Sequence, residues 1–168
     1  MYQHILVPID ASPTSKRGLE EAIEMAKLTG GSLRLMHVVD EFSFATGFEI
    51  YVGDTMALLR QGGEQILKSG LARVEASGVK ADTLLSESVG NCVSDLVVEE
   101  AKAWKADLIV IGTHGRRGVG RLLLGSDAER IVREAPVPVL LVRPSRAEAN
   151  YSSPGGEKAV PSASTVAA

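Results

Sequence analysis

Residues 5–13 read Ile-Leu-Val-Pro-Ile-Asp-Ala-Ser-Pro, an apolar run followed at once by polar and turn-forming residues. A short apolar run bounded by turn signals is typical of a strand that is buried on both faces. Ser12 is a favoured N-cap residue and Pro13 suits the first position of a helix, so a helix is predicted to begin there. The stretch therefore predicts a strand that leads directly into a helix, the repeating unit of α/β folds.

The same alternation of strand and helix patterns continues along the chain. Four further strands are predicted, at 33–39, 81–87, 107–111 and 137–142. Helices are predicted between them, and the last helix carries apolar residues at Ala128, Ile131, Val132 and Ala135. A βαβαβαβαβ order predicts a parallel sheet covered by helices on both faces, with right-handed crossovers.

The polarity of the strands predicts their order in the sheet. The first and fourth strands are nearly continuous apolar runs, whereas the second and third carry polar residues. The first and fourth strands are therefore expected at the centre and the third at an edge, in the Rossmann-like or flavodoxin-like order 3-2-1-4-5. The fifth strand then becomes an apolar edge, which a homodimer formed through residues 137–143 would cover.

Composition and charge exclude several classes of protein. The chain has 168 residues and a formal net charge of −3, which predicts one domain, residues 1–144, and argues against binding to nucleic acids or anionic membranes. No apolar run approaches the roughly 20 residues that span a bilayer. With the single cysteine Cys92 and no recognisable signal peptide, a cytoplasmic location is expected.

Residues 145–168 are poor in large apolar side chains and are expected to be a disordered tail.

A glycine-rich segment between the fourth strand and the fourth helix is the strongest indication of function. Glycines at 112, 115 and 125 allow backbone N–H groups to converge on an anion, and Ser126 stands at a helix start, which attracts phosphate. The segment lacks the ending of a Walker A loop. In the predicted strand order it meets the loop after the first strand at the point where the order reverses, which is where open α/β sheets bind ligands.

The spacing Gly112-x2-Gly115-x9-Gly125-Ser126 matches the ATP-binding signature G-2x-G-9x-G-S/T of the universal stress protein family, which this chain resembles over about residues 2–144. Matching flanks are residues 5–12, 37–39, 106–115 and 135–142. The resemblance implies a dimer formed through the fifth strand, a role in stress tolerance, and binding of ATP, ADP or AMP, with Mg²⁺. It also implies these binding residues: Pro8, Ile9, Asp10, Val39, Ile111, Gly112, His114, Gly115, Arg116, Gly125, Ser126 and Asp127.

Roles for these residues follow from the same resemblance. Asp10 would contact the ribose or a phosphate-bound metal ion, and Val39 would line the adenine pocket. Ile111 would run along the nucleoside, and the signature glycines with Ser126 would hold phosphates. Asp127 departs from the family pattern, because many relatives have a small apolar residue there; a carboxylate suits the first turn of a helix but repels phosphate.

The residues leave alternatives open. Asp10 can instead cap the first helix, and loop arginines such as Arg116 are more often solvated than bound to phosphate. No partner for a catalytic role of His114 is evident, so no catalytic residue is assigned and a nucleotide-dependent regulatory protein is favoured over an enzyme. A slow ATPase or autophosphorylating enzyme and a dimeric interaction module without nucleotide are the alternatives. The aromatic loop 40–53 is expected either to close over the nucleotide or to contact a partner.

Overall fold

The computed structural model of the chain describes residues 1–40, 52–88, 91–113 and 124–143. Strands and helices alternate in the order β1 (His4–Pro8), α1 (Pro13–Thr29), β2 (Ser32–Asp40), α2 (Val52–Ala76), β3 (Lys80–Ser88), α3 (Val93–Ala103), β4 (Leu108–Gly112), α4 (Ser126–Glu134) and β5 (Val139–Val142). The predictions made for residues 41–51, for the loop with His114, Gly115 and Arg116, and for the tail 145–168 lie outside the described residues. No helix in the described ranges is both long and apolar enough to cross a membrane.

The five strands form one parallel sheet in the order β3-β2-β1-β4-β5, which confirms the predicted order. β1 lies at the centre, where Ile5 pairs with Leu33 of β2 and with Leu108 of β4. The order reverses between β1 and β4, because β2 and β3 lie on one side of β1 while β4 and β5 lie on the other. This reversal brings the carboxyl ends of β1 and β4 together.

Two apolar cores cover the two faces of the sheet. On one face, α1 and α2 pack over a cluster that includes Ile5 and Val7. On the other, α3 and α4 pack over a cluster that includes Leu6 and Ile109. Because successive side chains of a strand point to opposite faces, Ile5, Leu6 and Val7 are all fully buried. The continuous apolar run of β1 is explained by burial on both sides.

The ends of α1 follow the predicted signals, and the apolar residues of α4 differ in burial. Ser12 Oγ accepts a hydrogen bond from the N–H of Ser15, Pro13 is the first helical residue, and Gly30 ends the helix with a left-handed φ of 69°. Of the apolar residues noted in α4, Val132 is 44% exposed. Ile131 takes the buried position, and the next residue is turned about 100° away around the helix axis.

Two adjacent glycines of α2 have different surroundings. A Cβ on Gly63 would lie 2.7 Å from His37 Cδ2 and 2.7 Å from Leu85 Cδ1, whereas a Cβ on Gly62 would have no neighbour within 4 Å. Gly63 is therefore required for the close packing of α2 on β2 and β3. Gly62 has no such packing role. It disfavours the helix, because a glycine loses more backbone entropy on folding than other residues do.

We predict that alanine substitutions at these two neighbours have opposite effects on stability. Gly62→Ala raises the free energy of unfolding by about 0.5–1 kcal/mol, because alanine is the better helix former. Gly63→Ala lowers it by about 1–2 kcal/mol, because the new methyl group overpacks His37 and Leu85. Urea denaturation of both variants measures the difference, and a stabilising Gly63→Ala substitution would contradict the close packing.

Candidate functional site

A cavity of about 520 Å³ opens at the carboxyl ends of β1, β2 and β4. Nine of the residues predicted to bind a ligand line this cavity: Pro8, Ile9, Asp10, Val39, Ile111, Gly112, Gly125, Ser126 and Asp127. The other three, His114, Gly115 and Arg116, lie outside the described residues. The structure thus brings together, at the reversal of the strand order, three segments that are far apart in the sequence.

The loop after β1 holds Asp10 in a fixed position. One carboxylate oxygen, Oδ1, accepts the backbone N–H of Ser12 at 2.9 Å, and the backbone N–H of Asp10 donates to Ser15 Oγ at 3.0 Å. Ala11, between them, has a left-handed φ of 66°, which is uncommon for a residue with a side chain. Asp10 therefore supports the start of α1 and also lines the cavity, so the two roles considered for it are compatible.

The start of α4 forms the opposite side of the cavity. The backbone N–H of Gly125 donates to the carbonyl of Thr113 at 2.9 Å, which ties the beginning of the helix to the end of β4. Gly125 is the N-cap residue and has no side chain with which to cap the first N–H groups of the helix. Gly125, Ser126, Asp127 and Ala128 all line the cavity, so the positive end of the helix dipole lies at its border.

Gly112 has a structural role that is independent of any ligand. A Cβ at this position would lie 2.9 Å from the backbone carbon of Thr14 and from its Cβ and Oγ1. The first turn of α1 thus approaches the end of β4 more closely than a side chain permits. This glycine keeps the two sides of the cavity together.

The apolar wall of the cavity was not predicted from the sequence. This wall consists of side chains and glycines from two helices: Leu58, Leu59, Gly62, Gly63 and Ile66 of α2, with Val93 and Val97 of α3. Leu58 is 67% exposed although it borders the cavity, so burial alone would not have identified it. A wall of this kind suits a flat, largely apolar group such as a ring system.

His37 also lines the cavity, although it is not among the predicted binding residues. It is buried, and its Nδ1 lies 2.6 Å from the carbonyl oxygen of Ile9. Because a carbonyl only accepts, Nδ1 is assigned as the protonated nitrogen. The histidine thereby joins β2 to the segment that carries Asp10.

An ion pair links α2, which carries part of the apolar wall, to β3. Arg60 Nε donates to Glu87 Oε1 at 2.5 Å and Arg60 Nη2 donates to Oε2 at 2.9 Å, so the pair is bidentate. These hydrogen bonds lower the pKa of the Glu87 carboxyl group from its usual value. The link joins the helix that forms the wall to the carboxyl end of β3.

The described lining of the cavity is acidic. It contains three carboxylates, Asp10, Asp40 and Asp127, and neither lysine nor arginine occurs among its described residues. These carboxylates do not form a metal site by themselves, because no group of three or more histidine, cysteine or acidic side chains in the described part of the chain could hold an ion. A cation at this site would need further ligands, such as the oxygens of a bound phosphate.

Comparison with known proteins gives a consistent result. The family model described as the universal stress protein family matches residues 1–143. A universal stress protein of Methanocaldococcus jannaschii is 36% identical over 152 residues, which are 88% of this chain and 86% of that protein.

Two solved structures with similar folds are of members of the same family. A family member from Burkholderia pseudomallei is 31% identical, with a TM-score of 0.70 over 86% of this chain and 97% of that chain. A universal stress protein in complex with cAMP is 25% identical, with a TM-score of 0.61 over 86% of this chain and 98% of that one.

Proposed function

Because the chain belongs to the universal stress protein family, we propose that it binds an adenine nucleotide in the cavity and acts as a nucleotide-dependent regulatory or stress-tolerance protein. The observation that carries the proposal is the meeting, in one cavity, of an apolar wall and the start of a helix that has no capping side chain. An apolar wall suits a nucleotide base, and the start of a helix suits a phosphate. The cAMP complex of a relative supports the same class of ligand.

The proposed complex places each part of the nucleotide against a different part of the cavity. The base lies against the apolar wall of α2 and α3, close to Val39. The ribose hydroxyl groups donate to the carboxylate of Asp10. The phosphate lies at the start of α4, beside Gly125 and Ser126, and any Mg²⁺ enters bound to the phosphates.

We propose binding and regulation rather than turnover. Phosphoryl transfer needs a positioned nucleophile and groups that stabilise the developing charge. No nucleophile could be assigned from the sequence. The glycine signature predicts ATP, but ADP and AMP carry the same base and ribose. The affinities for all three nucleotides should therefore be compared.

We predict that Asp10→Asn weakens binding of Mg-ATP and of AMP by about tenfold, the loss expected for one hydrogen bond to a charged group. The asparagine side chain retains an oxygen for the N–H of Ser12, so the start of α1 stays intact. Isothermal titration calorimetry measures the affinities, with Glu20→Gln on the exposed side of α1 as the control that removes the same charge. Unchanged affinity in Asp10→Asn would exclude the ribose role. If no nucleotide binds to the folded wild-type protein, an interaction module without ligand is the better account.

We further propose that the protein functions as a homodimer formed through β5. This strand pairs with β4 and forms an edge of the described sheet, and three of its four apolar residues, Val139, Leu140 and Leu141, are not fully buried. Leu141 is 36% exposed. An apolar edge strand is an aggregation hazard unless another chain covers it.

We predict that Leu141→Lys converts the dimer to a folded monomer, because a charge in an apolar edge contact is costly to desolvate. Analytical ultracentrifugation measures the mass, and circular dichroism checks the fold. Leu28→Lys is the matched control, since Leu28 is 83% exposed on the last turn of α1. A wild-type protein that sediments as a monomer at high micromolar concentration would rule out the dimer.

A further inference from the structure

His37 is a buried polar residue in an otherwise apolar row of β2. Leu35 and Val39, two positions before and after it on the same face of the strand, are buried and apolar. A polar ring in such a place destabilises the fold unless it is hydrogen-bonded. Nδ1 of His37 has such a partner in the carbonyl oxygen of Ile9, the residue directly before Asp10.

We propose that His37 is a positioning residue for the nucleotide. By donating to the carbonyl group of Ile9, it fixes the direction in which Asp10 presents its carboxylate to the ribose. His37 acts through Asp10 and needs no contact with the nucleotide in this role. The role rests on the proposed function, to which it adds the residue that pre-organises the ribose contact.

The peptide unit between Ile9 and Asp10 is held at both of its polar ends. Its carbonyl oxygen accepts from His37 Nδ1 at 2.6 Å, and its N–H, which belongs to Asp10, donates to Ser15 Oγ at 3.0 Å. Because a peptide unit is planar, two hydrogen bonds at opposite ends define its orientation. The Cα atom of Asp10 lies in this plane, and the hydrogen bond from the N–H of Ser12 to Oδ1 holds the carboxylate itself. These contacts together determine where the carboxylate points.

The packing of α2 on the sheet holds the ring of His37 in place. A Cβ on Gly63 would lie 2.7 Å from Cδ2 of the ring, so the backbone of α2 lies against the edge of the ring that does not carry Nδ1. The N–H of Ile9 donates to the carbonyl group of Met36 at 2.8 Å, which ties the acceptor to β2 as well. Donor and acceptor are therefore both fixed to the same strand.

Loss of the donor at position 37 would affect ligand binding in a specific way. The carbonyl group of Ile9 would lose a buried partner, and the peptide unit would keep only one of its two constraints. The carboxylate of Asp10 would still be present, but its direction would vary. A carboxylate that must be ordered when the ligand arrives binds more weakly than one that is already in place.

Two substitutions at position 37 separate the hydrogen-bond donor from the packing of the ring. The side chains of asparagine and leucine both branch at Cγ, but only asparagine places an N–H donor where histidine has Nδ1. In isothermal titration calorimetry with AMP, we expect His37→Leu to weaken binding about fivefold and His37→Asn to stay within about twofold of the wild-type protein. Val74→Ala is the control, because Val74 is a buried residue of α2 that does not line the cavity. It lowers the midpoint of urea unfolding and leaves the affinity for AMP unchanged.

A double-mutant cycle tests whether His37 acts through Asp10. In the Asp10→Asn background, we expect His37→Leu to weaken AMP binding by less than about twofold, because the contact that it positions is already impaired. Equal fold-changes in the two backgrounds would show that the two residues act independently, and would overturn the proposal.

Three other results also overturn it while leaving nucleotide binding intact. These are wild-type affinity in a folded His37→Leu variant, equal losses in His37→Leu and His37→Asn, and an equal loss in Val74→Ala. If the variants at position 37 do not fold, the ¹⁵N spectrum of the wild-type imidazole decides: a protonated Nδ1 with and without AMP supports the role, and an unprotonated Nδ1 excludes it. Folded wild-type protein that binds no AMP would refute the proposed function, and the role of His37 with it.

Discussion

The burial of β1 on both faces is the constraint on which the rest of the structure depends. Ile5, Leu6 and Val7 are fully buried, so β1 must lie at the centre of the sheet with helices on both sides. After the carboxyl end of β1 the chain enters α1. Strands β2 and β4 pair with opposite edges of β1. The close approach of Gly112 to Thr14 completes this arrangement. The cavity lies where the ends of these strands separate, so its position follows from the packing of the sheet.

Much of this arrangement could be predicted because its signals are local. Ser12, Pro13 and Gly30 mark the ends of α1 through backbone preferences that act within a few residues. The strand order followed from the difference between fully apolar strands and strands with polar positions. Once the order is known, topology alone brings the loop after β1 to the start of α4, which is why nine predicted residues share one cavity.

The cavity wall, the burial of residues in α4 and the carboxylates of the cavity depend on how distant segments pack together. No short stretch of sequence indicates them. To predict that α2 lines the cavity, one must know how closely α2 packs on the sheet. That distance depends on the close approach of Gly63 to His37, which are far apart in the sequence. The apolar residues of α4 do not show which of them are buried: Ala128 and Ile131 face the core, whereas Val132 is 44% exposed. The three carboxylates of the described lining, Asp10, Asp40 and Asp127, likewise come together only through the fold.

The central claim, that an adenine nucleotide occupies the cavity at the reversal of the strand order, is tested most directly by mapping the bound ligand. Amide chemical shifts of the ¹⁵N-labelled full chain are measured by NMR during titration with AMP. We predict saturable shifts at Asp10, Val39, Gly112 and Ser126, with none at Lys27 on the far end of α1. Saturable shifts confined to residues outside the cavity, or no shifts at millimolar AMP, would contradict it.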